Sequence, residues 1–85
     1  MFHYVYVLKS KSDKKFYVGY TNNLAKRFEQ HTKGLVSSTK NRRPLILVYY
    51  EACINQQDAT HREKYLKTYL GKVFIRNRLK SYLTG

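Results

Sequence analysis

"YVYVLKSKSDKKFYVGYTNNLAKRFEQH" runs from Tyr4 to His31, and its reading decides the fold. Over residues 3–8 the chain alternates, placing Tyr4, Tyr6 and Leu8 on one face of a strand and Val5 and Val7 on the other. "KSKSDKK" (9–15) is a polar turn, and "FYVGY" (16–20) returns to aromatic and β-branched residues. So short a connection between two such runs predicts an antiparallel hairpin. Gly19, inside the second run, predicts close approach by another group. At "TNNLAKRFEQHTKG" (21–34) the pattern becomes helical. Thr21 or Asn22 can cap the helix, Leu24, Phe28 and Leu35 form its apolar side, and Gly34 ends it.

Beyond the helix, "LVSSTKNRRP" (35–44) is a basic loop closed by the only proline. "LILVYYEA" (45–52) is short and almost continuously apolar, the pattern of a central strand buried on both faces. "NQQDATHREKYLKTYLG" (55–71) predicts a second helix, with Asn55 as cap and Asp58 in the first turn, where a negative charge suits the helix dipole. "KVFIRNRLKSYL" (72–83) predicts a third, separated from it by Gly71, with Ile75, Leu79, Tyr82 and Leu83 at helical spacing. The order ββαβαα describes an α+β fold: a three-stranded, mostly antiparallel sheet flanked by helices, one domain over residues 1–85.

Seventeen Lys and Arg against five Asp and Glu give a net charge of +12. A field of that sign points to nucleic acid as partner, ahead of an anionic membrane surface or an acidic protein. Thirteen aromatic residues exclude a disordered chain. Cys53 is alone, which excludes an internal disulfide and a cysteine-rich metal centre; at the end of an apolar run it reads as a small buried hydrophobe. No charged-then-apolar leader opens the sequence and no apolar run approaches about 18 residues. The expectation is a cytoplasmic protein with no membrane partner.

A few residues fit chemistry better than packing. On the second helix, positions 59, 63, 66, 70 and 73 share a stripe, and four of them are Ala59, Leu66, Leu70 and Val73. The fifth is Glu63, a carboxylate that needs a cation, a metal or a shifted pKa when buried. An ion pair with Arg62, Lys67 or Arg27 answers that need, as does a metal-ligand or catalytic-acid role. Arg27 and His31 are neighbours at i,i+4, suited either to a solvated helix edge or to flanking a phosphate. Tyr6 and Tyr17 sit on adjacent strands of the hairpin, as core aromatics or as hydroxyls that nearby positive charge could activate. Together the five supply what phosphodiester hydrolysis requires: a cation on a phosphate oxygen, a base for water and a clamp for developing charge.

In this arrangement the chain resembles the GIY-YIG nuclease superfamily, and among it the small single-domain members related to the N-terminal nuclease domain of the bacterial excision-repair endonuclease. The resemblance rests on "YVY" (4–6), "YVG" (17–19), "TNNLAKRFEQH" (21–31), "RRPLILVYYE" (42–51), "ATHREKYLK" (59–67) and "FIRNRL" (74–79), in that order. It implies a three-stranded sheet with flanking helices and a metal-dependent endonuclease, structure-selective on DNA rather than RNA and weak in sequence preference; a non-catalytic binding module is the alternative. It implies that Tyr6 and Tyr17 point into the site, either one as general base. Arg27 would hold the scissile phosphate, and His31 would lie beside the attacking or leaving oxygen. Glu63 would bind one Mg²⁺ or Mn²⁺, Asn77 would lie near that ion, and Gly19 would allow close packing. Tyr4 stands where the first signature has glycine. Tyr20 stands where several family enzymes carry a lysine, so Lys14, Lys15 or Arg27 would have to supply that charge. Lys40, Arg42 and Arg43 in the loop, with Lys72, Arg76, Arg78 and Lys80 on the third helix, are the expected nucleic-acid contacts. So small a nuclease also suggests a protein partner or a homodimer.

Overall fold

In the computed structural model, which describes residues 1–85, β1 (His3–Ser10) runs through the middle of the sheet. β2 (Phe16–Thr21) lies antiparallel on one side and β3 (Leu45–Cys53) antiparallel on the other. The hairpin register sets Tyr6 opposite Gly19 and Val7 opposite Val18. On the far side Tyr6 faces Tyr50 and Val7 faces Tyr49, and a bulge then moves Leu8 on to Leu47. α1 (Leu24–Thr32) precedes a short 3₁₀ turn at Lys40–Arg42, and α2 (Gln56–Leu66), α3 (Tyr69–Arg78) and α4 (Lys80–Thr84) follow β3.

Strand alternation divides the sheet into two unlike faces. Val5, Val7 and Val18 pack with Ala59, Leu66 and Ile75 from α2 and α3, forming the apolar core. Tyr6 points to the other face, beneath α1, where it meets the buried His31. α1 begins at Asn23, whose side chain accepts the Lys26 N–H, so the cap falls one residue beyond the two expected. Asn55 caps α2 as its sequence indicates, accepting the N–H groups of Gln57 and Asp58.

Three expectations are corrected. β3 is an edge strand, not the central one: both its faces are partly covered, which explains the unbroken apolar run, but its outer backbone edge is open. The boundary between the last long helices falls at Lys67 and Thr68 rather than at Gly71. Thr68 is the N-cap of α3, its hydroxyl accepting the Gly71 N–H at 3.2 Å. Gly71 lies inside α3, where a side chain would run into the Tyr65 carbonyl and the Leu66 backbone. The expected third helix is in fact two, parted at Leu79. The turn at Thr68 also cuts the apolar stripe short. Ala59 and Leu66 are fully buried, whereas Leu70 is 63% exposed.

Candidate active site

The face of the sheet under α1 carries a chain of three polar side chains sealed from solvent. Tyr6 is 1% exposed, and His31 and Thr39 are both at 0%. The Tyr6 hydroxyl lies 2.8 Å from His31 Nε2, and His31 Nδ1 lies 2.8 Å from the Thr39 hydroxyl. Thr39 in turn donates to the Val36 carbonyl at 3.5 Å, an oxygen that can only accept. The network therefore assigns the imidazole proton to Nδ1, leaving a bare Nε2 to accept from the Tyr6 hydroxyl. Burial, with the positive charge of Arg27 as a second cause, lowers the His31 pKa to about 4, so the ring is neutral at physiological pH. Burial also raises the Tyr6 pKa, while its hydrogen-bonding interaction with Arg27 acts in the opposite direction. Gly19 makes this arrangement possible, because a Cβ there would collide with the Tyr6 ring and hydroxyl.

Arg27 stands between this buried chain and water. It acts on both Tyr6 and His31, its Nη1 donates to Gln30 Oε1 at 3.0 Å, and it is only half-buried. It opens into a polar cleft of about 440 Å³ lined also by Asn22, Asn23, Lys26 and, from the start of α2, Gln56. Tyr17 is half-buried, edge-to-face on His31 at 5.3 Å and tilted against Tyr6 at 6.5 Å. Glu63 and Tyr17 both act on the Tyr6 hydroxyl, raising its pKa. Tyr6, Tyr17, Arg27, His31 and Glu63, from β1, β2, α1 and α2, thus converge on one locality.

Of the three partners open to Glu63, the structure uses Lys67, with Nζ 3.0 Å from Oε2. Arg62 turns instead to Glu51, making bonds of 2.9 and 3.0 Å to its two oxygens, with its guanidinium over the rings of Phe74 and Tyr65. No second His, Cys, Asp or Glu gathers with Glu63 into a three-ligand set. The remaining donor chemistry fits a hard divalent ion of the Mg²⁺ type, which is commonly held by one or two carboxylates together with waters and substrate oxygens. Oε1 of Glu63 carries no protein hydrogen bond, and the Lys67 pair is an exposed i,i+4 contact worth little.

Other sequence candidates scatter. Asn77 is exposed on α3 and its side chain joins none of these groups by a hydrogen bond. Lys40 and Arg43 line a hollow beside Thr32 and Pro44, and Arg78 acts on Tyr49 at the other sheet face. Arg42, Lys72, Arg76 and Lys80 share a single groove. Tyr20, at the position where a lysine is common in the family, turns its hydroxyl onto His3 Nδ1 at 2.8 Å. Arg27 is the cation that acts on Tyr6. Thr39 escaped the sequence reading altogether, since nothing local ties it to His31 eight residues earlier.

The family model of the GIY-YIG catalytic domain matches residues 2–80. A UPF0213 protein of Clostridium perfringens is 46% identical over 66 residues, 76% of this chain and 70% of that relative. One from Staphylococcus haemolyticus is 43% identical over 68 residues, 79% of this chain and 82% of the relative. The solution NMR structure of the UPF0213 protein of Bacillus halodurans has the same fold, with a TM-score of 0.58 at 31% identity, covering 91% of this chain and 84% of that one.

Proposed function

The chain belongs to the GIY-YIG family, and from that premise we propose that it is an endonuclease hydrolysing phosphodiester bonds in DNA, structure-selective and dependent on one Mg²⁺ or Mn²⁺. The observation that carries this reading is the position of Arg27. Its guanidinium acts on the Tyr6 hydroxyl from the wall of an open polar cleft, with Glu63 acting on the same hydroxyl. A guanidinium so placed suits a scissile phosphate, which it can hold by two parallel N–H donors.

Division of labour between the tyrosines follows from their surroundings. The Tyr6 hydroxyl is sealed and committed to His31. It serves as a positioning residue that fixes the guanidinium of Arg27. Tyr17 is half-buried and free of the hydrogen bonds that hold Tyr6, so it is the group that orients water or accepts its proton. His31 acts through Tyr6, not through solvent. Hydrolysis forms a bond from the water oxygen to phosphorus as the ester P–O bond breaks, and charge developing on the phosphoryl oxygens falls to Arg27. When bound at Glu63, the divalent ion would supply further positive charge to phosphate oxygens. The cytoplasm is the proposed compartment.

A second reading, a module that binds nucleic acid and cuts little, is favoured by Tyr20: its hydroxyl goes to His3, and no lysine stands there to activate a tyrosine. The two readings separate by cleavage of labelled single-stranded, duplex, flap and branched DNA with Mg²⁺ or Mn²⁺. Wild-type cutting lost in Arg27→Ala, Glu63→Ala and Tyr17→Phe supports the nuclease. Intact binding without turnover on any substrate supports the module.

A further inference from the structure

A groove of about 880 Å³ separates the β1–β2 hairpin from α3 and α4. Lys9, Lys14 and Lys15 reach it from the hairpin, and Lys72, Arg76 and Lys80 from the helices. None of these six is in a salt bridge: the four in the protein are Glu29–Lys33, Asp13–Arg42, Glu51–Arg62 and Glu63–Lys67. The one acid in the lining, Asp13, is balanced by Arg42 at 3.2 Å. The groove therefore holds a net +6, half of the chain's +12. So many like charges around one hollow oppose the compact state unless an anion with many charges fills it.

The hairpin wall is fixed rather than loose. Ser10 Oγ donates to the Arg42 carbonyl at 2.6 Å, the Lys11 N–H to the Pro44 carbonyl at 2.9 Å, and Arg42 Nη2 to the Phe16 carbonyl at 3.3 Å. Ser10 is fully buried while making these links. The lysines of the turn are thus presented from a braced edge, at less ordering cost than a free loop would incur. The groove also leads somewhere. A smaller hollow of about 210 Å³ shares Phe16 and Lys72 with it and is lined by Tyr17 and by Lys67, the partner of Glu63.

We propose that this groove is a track for the phosphodiester backbone of a nucleic-acid strand, delivering it past Lys72 and Lys67 to Tyr17 and Arg27. The assignment rests on the nuclease reading and extends it by placing the strand outside the scissile phosphate. It accounts for the three hairpin lysines, which have no place in the catalytic cluster. It also splits the expected basic surface, taking Arg42, Lys72, Arg76 and Lys80 and leaving out Lys40, Arg43 and Arg78.

The test is fluorescence anisotropy of a labelled flap oligonucleotide, in EDTA, from 50 to 200 mM salt. Wild type is compared with the combined variant Lys15→Gln, Lys72→Gln, Arg76→Gln, three exposed positions whose effect on folding a thermal melt checks. Loss of three phosphate contacts should flatten the slope of log K against log salt by about 2.7, so wild type loses about 40-fold more affinity than the variant across that range. Equal slopes, with wild type binding tightly, would overturn the groove and leave the nuclease reading standing. Wild type that binds no nucleic acid would overturn both. Tighter binding to phosphatidylglycerol vesicles than to the oligonucleotide at equal charge would reassign the groove to a membrane surface and refute the proposal.

Discussion

Lowering the pH from 7.5 to 5 puts a proton on His31 in the unfolded chain but not in the native one. The native ring titrates at about 4, against an ordinary value of 6.5. Because the folded value lies below the unfolded one, the associated stability is complete above about pH 6.5 and drains away as the pH falls toward 4. The full shift corresponds to about 3 kcal/mol, and about 2 kcal/mol of it should be lost between pH 7.5 and pH 5. The groups facing the ring are Tyr6, Tyr17, Arg27 and Thr39, and none of them compensates: Arg27 stays cationic throughout, and the phenols and the hydroxyl stay neutral. The carboxyl of Asp13 is held below its usual range, chiefly by the Lys15 N–H, so it titrates beneath this window. Urea unfolding of wild type and His31→Gln at both pH values isolates the effect, because glutamine can bond similar neighbours but does not titrate. The wild-type advantage should shrink by about 2 kcal/mol on acidification. Parallel losses in the two proteins, or an NMR midpoint for the His31 ring near 6.5, would refute the buried neutral imidazole.

Other consequences of the same geometry can be checked separately. Thr39→Val keeps the shape but leaves the His31 N–H without an acceptor in a sealed site, and should cost about 1–3 kcal/mol in chemical denaturation. Gly19→Ala drives a methyl into the Tyr6 ring; about 1–3 kcal/mol of lost stability is expected, with a larger loss of cleavage than of DNA affinity. Arg62→Lys gives up the paired bonds to Glu51 and the fit over Phe74. That substitution should lower stability by roughly 1 kcal/mol in thermal melts while leaving salt-dependent DNA binding unchanged.

The hairpin and the starts of the helices were legible because their signals are local: alternation in 3–8, turn residues in 9–15, and Asn55 ahead of a helical period. The position of β3 was not. An apolar run says that both faces of a strand are covered, but only the pairing of β1 with two partners decides which strand has a free edge. At Thr68 a capping threonine competed with Leu70 and Val73, which continue the apolar period on paper, and the cap prevailed. Glu63 with Lys67 could be read from i,i+4 spacing. Thr39 could not, since its contact with His31 forms only when the loop after α1 folds back on itself. The hairpin lysines read as an ordinary polar turn because the helices across the groove from them lie more than fifty residues away in sequence.

β1 has a consequence for how such a protein can vary. Its odd positions Val5 and Val7 belong to the hydrophobic interior, and Tyr6 between them belongs to the chemistry. Strand period being two, inserting or deleting one residue in this segment would exchange the sets wholesale, turning a phenol into the interior and a valine toward the phosphate. Folding and cutting are therefore encoded by interleaved letters of one short word. Selection on either constrains the other, and drift in the segment is confined to substitutions that preserve its length.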